Sequence, residues 1–209
     1  MHSKLLYATT NPGKIFEVGK LLESHNINIV SPKDLKLDLD VEETGSSLKE
    51  NAHLKAKAFL KAAPEYLVMA DDTGVEIDAL NGEPGIHVRR WKDKKTRMTD
   101  QEIIDYCIDQ MKGIPKQKRT AKFHTVVALA HNNKIETFDG FLNGTIVKGP
   151  APLKYKGFPF EAMFFIPEWR KLLGDVHNLS IEEKIAQKYY THRERAVLKA
   201  IPRIKEIIK

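Results

Sequence analysis

Short apolar runs alternate along the chain with stretches whose apolar positions recur every three or four residues. Leu5 to Thr9 reads as a first strand. After the turn Thr10-Asn11-Pro12-Gly13-Lys14, the residues Ile15, Val18, Leu21 and Leu22 share one face and predict a helix from Ile15 to Ser24. Asn28 to Pro32 predicts a second short strand. Ser47-x-x-Glu50 is a capping box that opens a helix to about Ala62. The apolar run Tyr66 to Ala70 predicts a buried strand. A second capping box, Thr99-x-x-Glu102, opens a helix through about Met111. Phe123 to Ala130 and Ile135 to Phe138 predict paired strands that turn through His131-Asn132-Asn133-Lys134, and Thr145 to Lys148 and Met163 to Ile166 add two more. Ser180-x-x-Glu183 and Thr191-x-x-Glu194 mark further helix starts, and Pro202 predicts a kink or split in the last helix. Strands and helices mix throughout, with at least one hairpin. That pattern predicts an α/β fold with a mixed rather than purely parallel sheet.

The run from Tyr66 ends abruptly at Asp71-Asp72-Thr73-Gly74. Carboxylates at the C-terminal end of a buried strand stand where open α/β sheets bind ligands. Neighbouring side chains on a strand point to opposite faces, so the two aspartates need not share a job. One can hold a hard cation or activate a water while the other accepts backbone hydrogen bonds. A plain strand-to-turn junction also uses Asp and Gly.

At 209 residues and 42% hydrophobic, the chain is sized for one domain with one sizeable core, covering residues 1–209. It holds no apolar run long enough for a membrane span, and Met1-His-Ser-Lys4 shows no leader, so a cytoplasmic protein is expected. Cys107 is the one cysteine, which excludes an internal disulfide and reads as a buried thiol. The net charge of +6 favours an anionic partner, either nucleic acid or a phosphorylated small molecule. The densest basic stretch, Lys112 to Lys122, joins a helix to a strand and reads as a solvated connection. Without an aromatic stacking platform or a known motif, nucleic acid is not the expected partner.

Three constellations carry chemistry. In Thr9-Thr10-Asn11-Pro12-Gly13-Lys14 a strand turns into a helix. Glycine lets backbone amides approach an anion, the helix N-terminus adds a favourable dipole, and Lys14 can reach phosphates as a point charge. An ordinary strand-to-helix turn with an exposed lysine fits this segment equally well. Glu42-Glu43-Thr44-Gly45 leads into the helix that carries Asn51 and Lys55, four residues apart on one face. A carboxylate just before a helix can simply complement the helix dipole; paired with Asp72 it would instead complete a metal site, and Mg²⁺ uses one or two protein carboxylates plus phosphate oxygens. Thr191-His192-Arg193-Glu194 places two cations in a first helical turn, against the helix dipole. An anion or a base edge would justify them; a surface helix start in a basic chain fits the segment too.

Together, Thr-Thr-Asn-Pro-Gly-Lys (9–14), Glu-Glu-Thr-Gly (42–45), Glu-Asn-Ala-x-x-Lys-Ala (50–56), Ala-Asp-Asp-Thr-Gly (70–74) with Gly-Glu-Pro-Gly (82–85), and Thr-His-Arg-x-x-Ala (191–196) resemble one family, the inosine triphosphate pyrophosphatases, the Ham1-like house-cleaning enzymes. The resemblance runs through nearly the whole chain. It implies an elongated α/β fold, a mixed twisted sheet with flanking helices, in two lobes around a central substrate cleft, and a homodimer. It implies Mg²⁺-dependent hydrolysis of ITP, dITP and XTP to monophosphate and pyrophosphate. Thr9, Thr10, Asn11, Pro12, Gly13 and Lys14 would bind the triphosphate, and Glu43 and Asp72 would hold Mg²⁺, with Asp72 the general base. Lys55 and Thr73 would contact substrate, and His192 and Arg193 would face the base. Phe158-Pro159-Phe160-Glu161-Ala162 departs from the family's Phe-Gly-Tyr/Phe-Asp-Pro, so Phe158, Phe160 and Glu161 would meet the base through altered chemistry. Lys184, preferred over Lys188 because it follows Glu182-Glu183, would be the base-side lysine. The intact Lys14, Glu43, Lys55 and Asp72 argue against a nucleotide binder that has lost turnover.

Overall fold

A computed structural model describes residues 4–208, so Met1–Ser3, on which the expectation about a leader falls, and Lys209 lie outside the described residues. Among the described residues eight strands form one open, twisted mixed sheet in the order β2-β1-β3-β5-β6-β7-β8, in which β5 spans Thr120–His131 and β4 pairs to β3. Six α-helices among the described residues flank it. The expected mixed sheet with flanking helices is therefore present.

The chain divides into two compact units. The first comprises the described residues up to Thr73, then Thr125–Gly140 and the chain from His192 onward. In it β1 (Leu5–Tyr7) pairs in parallel with β2 (Ile29–Val30) and with the start of β3 (Leu67–Ile77), Tyr7 opposite Met69. Helix α1 (Pro12–Glu23) starts three residues earlier than the apolar spacing predicts, because Asn11 caps it and Pro12 occupies its first turn. Val18, Leu21 and Leu22 form its buried face, and α1 packs on α6 (His192–Ile207). Helix α2 (Leu48–Ala62) buries Leu48, Ala52, Ala56 and Phe59, and with them the polar Asn51. Its capping box is only half made. Ser47 accepts from the Glu50 amide, but the Glu50 carboxylate turns to the amide and hydroxyl of Ser46. Helix α6 continues through Pro202 rather than splitting, because Ala200, Ile201 and Ile204 stay buried around the missing N–H. A Cβ on Gly140 would overlap the His192 carbonyl oxygen, so only glycine lets this part of β6 (Lys134–Ile146) approach α6 so closely.

The second unit comprises Gly74–His124 and Phe141–Thr191. The far half of β3 pairs antiparallel with β4 (Pro84–Gly85), and β6 continues into β7 (Phe164–Ile166) and β8 (Lys171–Leu172). Helix α3 (Asp100–Gln110) carries a complete capping box from Thr99 and Glu102. Helices α4 (Leu173–His177) and α5 (Ile181–Gln187) follow, α5 with its own complete box from Ser180. The core gathers around Trp91, whose ring lies 5.3 Å from Tyr106 and 6.0 Å from Phe160. Buried Arg119 is satisfied by the carbonyls of Met111, Ile146 and Val147 at 2.7–2.8 Å, which ties the end of α3 to the end of β6.

Two sequence expectations need correction. The strand beginning near Tyr66 does not stop at the aspartates. It runs through Asp71, Asp72, Thr73 and Gly74 to Ile77, because both carboxylates find partners inside the fold and the backbone goes on pairing. The separate strands expected at Ile135–Phe138 and Thr145–Lys148 are one 13-residue strand, β6, since Asp139 and Gly140 do not interrupt the ladder. The two-residue β8 and five-residue α4 are too short to leave a period in the sequence.

Candidate active site

The first unit concentrates its buried charge around Asp71 and Asp72 on β3, and the two have different partners. Asp71 belongs to a closed network. Its Oδ1 accepts from the Tyr7 hydroxyl at 2.7 Å. Its Oδ2 accepts from Lys14 Nζ at 2.9 Å and Arg193 Nε at 3.1 Å, with the Thr73 hydroxyl at 3.4 Å. The sequence reading gave one aspartate backbone amides as partners, but these partners are all side chains. Arg193 also donates to buried Glu17 at 2.5 Å. Two cations, Lys14 and Arg193, thus face two carboxylates, Asp71 and Glu17. Burial alone would raise the Asp71 pKa, yet Lys14, then Arg193 and Lys55, hold it well below the usual carboxylate range. Burial lowers the Lys14 pKa, with Asp71 opposing and Arg193 adding to the fall. The Tyr7 hydroxyl is pushed up by burial and then by Asp71.

Asp72 looks toward α2. Its Oδ2 accepts from Asn51 Nδ2 at 3.2 Å, and its Oδ1 lies 3.3 Å from Lys55 Nζ. Lys55 also reaches Glu43 Oε1 at 2.9 Å. Asn51 and Lys55 share a helix face, as their four-residue spacing predicts. Asn51 Oδ1 accepts from the Gly45 amide at 2.8 Å, so one amide side chain positions both the Glu43 segment and Asp72. A Cβ on Gly45 would stand 2.6 Å from Glu50 Cβ and 2.7 Å from Asn51 Oδ1, which explains glycine there. Burial pushes the Asp72 pKa above its ordinary value; Lys55 opposes this and Glu43 adds to it. Burial works against the Lys55 charge, but Asp72 and Glu43 outweigh it and raise the ammonium pKa.

The turn at Thr9–Lys14 sits at the N-terminus of α1, as the sequence predicts. Asn11 accepts from the amides of Gly13 at 2.9 Å and Lys14 at 3.4 Å, and Thr9 Oγ1 accepts from the Asn11 amide at 3.2 Å. Thr10 and Pro12 lie in the same turn and are solvent-exposed. His192 is buried, and its Nδ1 meets the Thr125 hydroxyl at 2.6 Å, which in turn meets Thr73 at 2.7 Å. Arg193, in a first helical turn, faces the internal carboxylates Glu17 and Asp71.

The altered segment lies in the second unit. Phe160 is a core residue, 3% exposed, packed between Trp91 and Phe123. Glu161 is buried and pairs with His177, whose ring lies 5.6 Å from that of Phe158. Lys184 is buried on α5, and Lys188 takes the left-handed position that ends that helix.

Sequence reasoning missed Tyr7, Glu17, Thr125 and His177. Glu17 did leave a signal: it lies four residues before Leu21 and so shares the apolar face of α1, where an unpaired carboxylate would be costly. The other three left none.

The Glu43–Asp72 pair fits a hard cation. Two carboxylates already converge on one cation, the Lys55 ammonium, and the Glu43 side chain is 37% exposed. Among the described residues no cluster of three or more His, Cys, Asp or Glu forms a metal cage. Mg²⁺ needs none, since it takes one or two carboxylates and completes its shell with water and phosphate oxygens.

The described residues contain no helix long and apolar enough to cross a membrane. The model of the Ham1 family matches residues 5–203. A dITP/XTP pyrophosphatase of Thermoanaerobacter pseudethanolicus is 33% identical over 196 residues, 94% of this chain and 93% of the relative. The Ham1 protein of Staphylococcus aureus superposes with a TM-score of 0.74 at 30% identity, over 97% of this chain and 98% of that one. A HAM1 protein from Coxiella burnetii superposes with a TM-score of 0.76 at 28% identity, over the same shares.

Proposed function

This chain belongs to the Ham1 family, and from that membership we propose that it hydrolyses non-standard purine nucleoside triphosphates, ITP, dITP and XTP, to monophosphate and pyrophosphate. The observation that carries the reading is the pair of adjacent carboxylates on β3, one locked in a neutralised network and the other, Asp72, held beside Lys55 and Glu43 with its proton affinity raised. A general base works best when its pKa is drawn toward the working pH. Asp72 takes a proton from water, the water oxygen bonds to the α-phosphorus, and the bond from that phosphorus to the bridging oxygen breaks. Pyrophosphate leaves with the electron pair. Lys14 and Lys55 offset charge on the phosphates, and the Thr9–Lys14 turn positions them. Glu43 and Asp72 would hold Mg²⁺, which when bound neutralises phosphate charge.

The base side rests on resemblance. Phe158, Glu161, Lys184, His192 and Arg193 are its candidates, and Glu161 in place of the family's aspartate makes base preference the open variable. A homodimer and a cytoplasmic location belong to the same reading. The test is chromatography of products from ITP, dITP, XTP, dUTP and the common triphosphates. Monophosphate and pyrophosphate, fastest from the non-standard purines, are expected. Diphosphate and phosphate as first products would reject attack at the α-phosphorus. Tight binding without any product would make the chain a nucleotide binder.

A further inference from the structure

The cation between Glu43 and Asp72 is a side chain of the same protein. Lys55 Nζ lies 2.9 Å from Glu43 Oε1 and 3.3 Å from Asp72 Oδ1, and the lysine side chain is 13% exposed. A divalent cation drawn to the same carboxylates would meet the ammonium at close range with little water between them, where like charges repel strongly. The two cannot share the position. The arrangement also shows which one is able to leave. Lysine carries its charge on a flexible four-carbon stem. Asp72 and the backbone beside Glu43 have a second anchor, because Asn51, one turn earlier on α2, holds Asp72 at 3.2 Å and the Gly45 amide at 2.8 Å. With Lys55 withdrawn, Asp72 and the segment bearing Glu43 keep their anchor.

We propose that Lys55 is the resident counter-ion of the Glu43–Asp72 pair, and that a divalent metal enters only when an anionic ligand draws the Lys55 ammonium away. A nucleoside triphosphate is such an anion. Its phosphates take the ammonium while the metal replaces it on the carboxylates, so the metal and the nucleotide strengthen each other's binding reciprocally. The proposal rests on Glu43 and Asp72 being the metal ligands, and the experiment separates the two ideas.

The probe is Mn²⁺, titrated into the full chain with the free ion followed by electron paramagnetic resonance. The titration is run with and without an α,β-imido analogue of ITP, which lacks the cleavable bridging oxygen. The wild-type chain alone should bind Mn²⁺ weakly, and about tenfold or more tightly with the analogue. Lys55→Met alone should bind Mn²⁺ about tenfold or more tightly than wild type, and its gain from the analogue, now only that of the added phosphate ligands, should be smaller than the wild-type gain. Lys55→Gln, with its shorter polar side chain, should behave as Lys55→Met does and guards against a packing artefact. Equal binding by wild type and both variants without analogue overturns the proposal. In that case Glu43→Gln shows how far the failure reaches. If it abolishes Mn²⁺ binding, the ligand assignment stands and only the counter-ion idea falls. If Mn²⁺ binding survives both Glu43→Gln and Asp72→Asn, the ligand assignment falls as well.

Discussion

Asp71 and Asp72 are chain neighbours, buried to similar extents, yet they occupy opposite electrostatic regimes. Asp71 has two cations and a phenol on it, and the cation it shares is balanced in turn by Glu17. Asp72 shares a single cation with a second carboxylate. The strand makes this possible, since consecutive side chains leave it on opposite faces and meet different helices. A fully compensated charge is inert and structural. An under-compensated one is available to a proton or a metal, at a cost in stability. The difference shows that the sequence motif Asp-Asp-Thr-Gly holds two functions, and that burial alone does not say which residue has which.

The sharpest way to break this comparison is to neutralise each aspartate in turn. Asp71→Asn leaves Arg193 with Glu17 and takes from Lys14 the carboxylate it faces. Breaking a buried pair in this way costs about 3–5 kcal/mol, so the unfolding free energy should fall by that amount and the denaturant midpoint should drop with it. The pH dependence should change with it. The Asp71 pKa lies below its unfolded value, so the unfolded chain binds that proton more tightly. The stabilisation is complete above the unfolded pKa of about 3.9 and is lost as pH falls through the folded one. In the variant the acid limb of melting temperature against pH should flatten. An unchanged acid limb would show that Asp71 is not the compensated member.

Asp72→Asn should do the reverse. The raised pKa means that the folded state binds this proton more tightly than the unfolded chain, so an ionised Asp72 opposes folding at neutral pH. Its removal should leave the denaturant midpoint nearly unchanged. Turnover should fall about a hundredfold or more, roughly 2.7 kcal/mol of transition-state stabilisation. Near-normal kcat at saturating Mg²⁺ would remove Asp72 from the reaction.

Much of this was legible in the chain. The caps at Ser47, Thr99 and Ser180 placed three helices because side-chain oxygens at fixed offsets satisfy orphan amides locally. The four-residue spacing of Asn51 and Lys55 placed both on one face. What was not legible depends on distant pairing. A reading that ends a strand at its first charge stops at Ala70, whereas β3 continues because Lys14, Arg193, Asn51 and Lys55 neutralise or bind the two carboxylates from 17 or more positions away. The internal partner of Arg193 was not legible because Glu17 lies 176 residues from it in the sequence.

A third buried carboxylate extends the contrast into the second unit. Glu161 pairs with His177, next to Pro159 in a short 3-10 turn. The double reversion Pro159→Gly with Glu161→Asp shortens that carboxylate by a methylene and frees the backbone before it. If the segment reads the base, the ratio of kcat/KM between ITP and other triphosphates should move about tenfold, near 1.4 kcal/mol. Unchanged ratios across the panel would assign Glu161 and His177 to structure alone.

The smallest expected effect separates the two faces at their boundary. Thr73 Oγ1 touches Thr125 at 2.7 Å, Arg193 at 3.3 Å and Asp71 at 3.4 Å, so its hydroxyl belongs to the compensated side. Valine has nearly the same shape without the hydroxyl. Thr73→Val removes one good hydrogen bond and two long ones, while Thr125 keeps His192 at 2.6 Å. The net loss should be about 1 kcal/mol, a fall of roughly 2–4 °C in melting temperature for a chain of this length. Resemblance instead makes Thr73 a substrate contact, and the kinetics tell the two roles apart. A residue that only braces Asp71 leaves KM within about twofold, because the phosphate-side groups stay in place. A residue that donates to the triphosphate raises KM by about tenfold while costing the same stability, since a hydrogen bond to a charged group contributes roughly 1.5–3 kcal/mol. The network around Asp71 favours the first outcome: a hydroxyl already shared among three internal partners has little left to offer a phosphate.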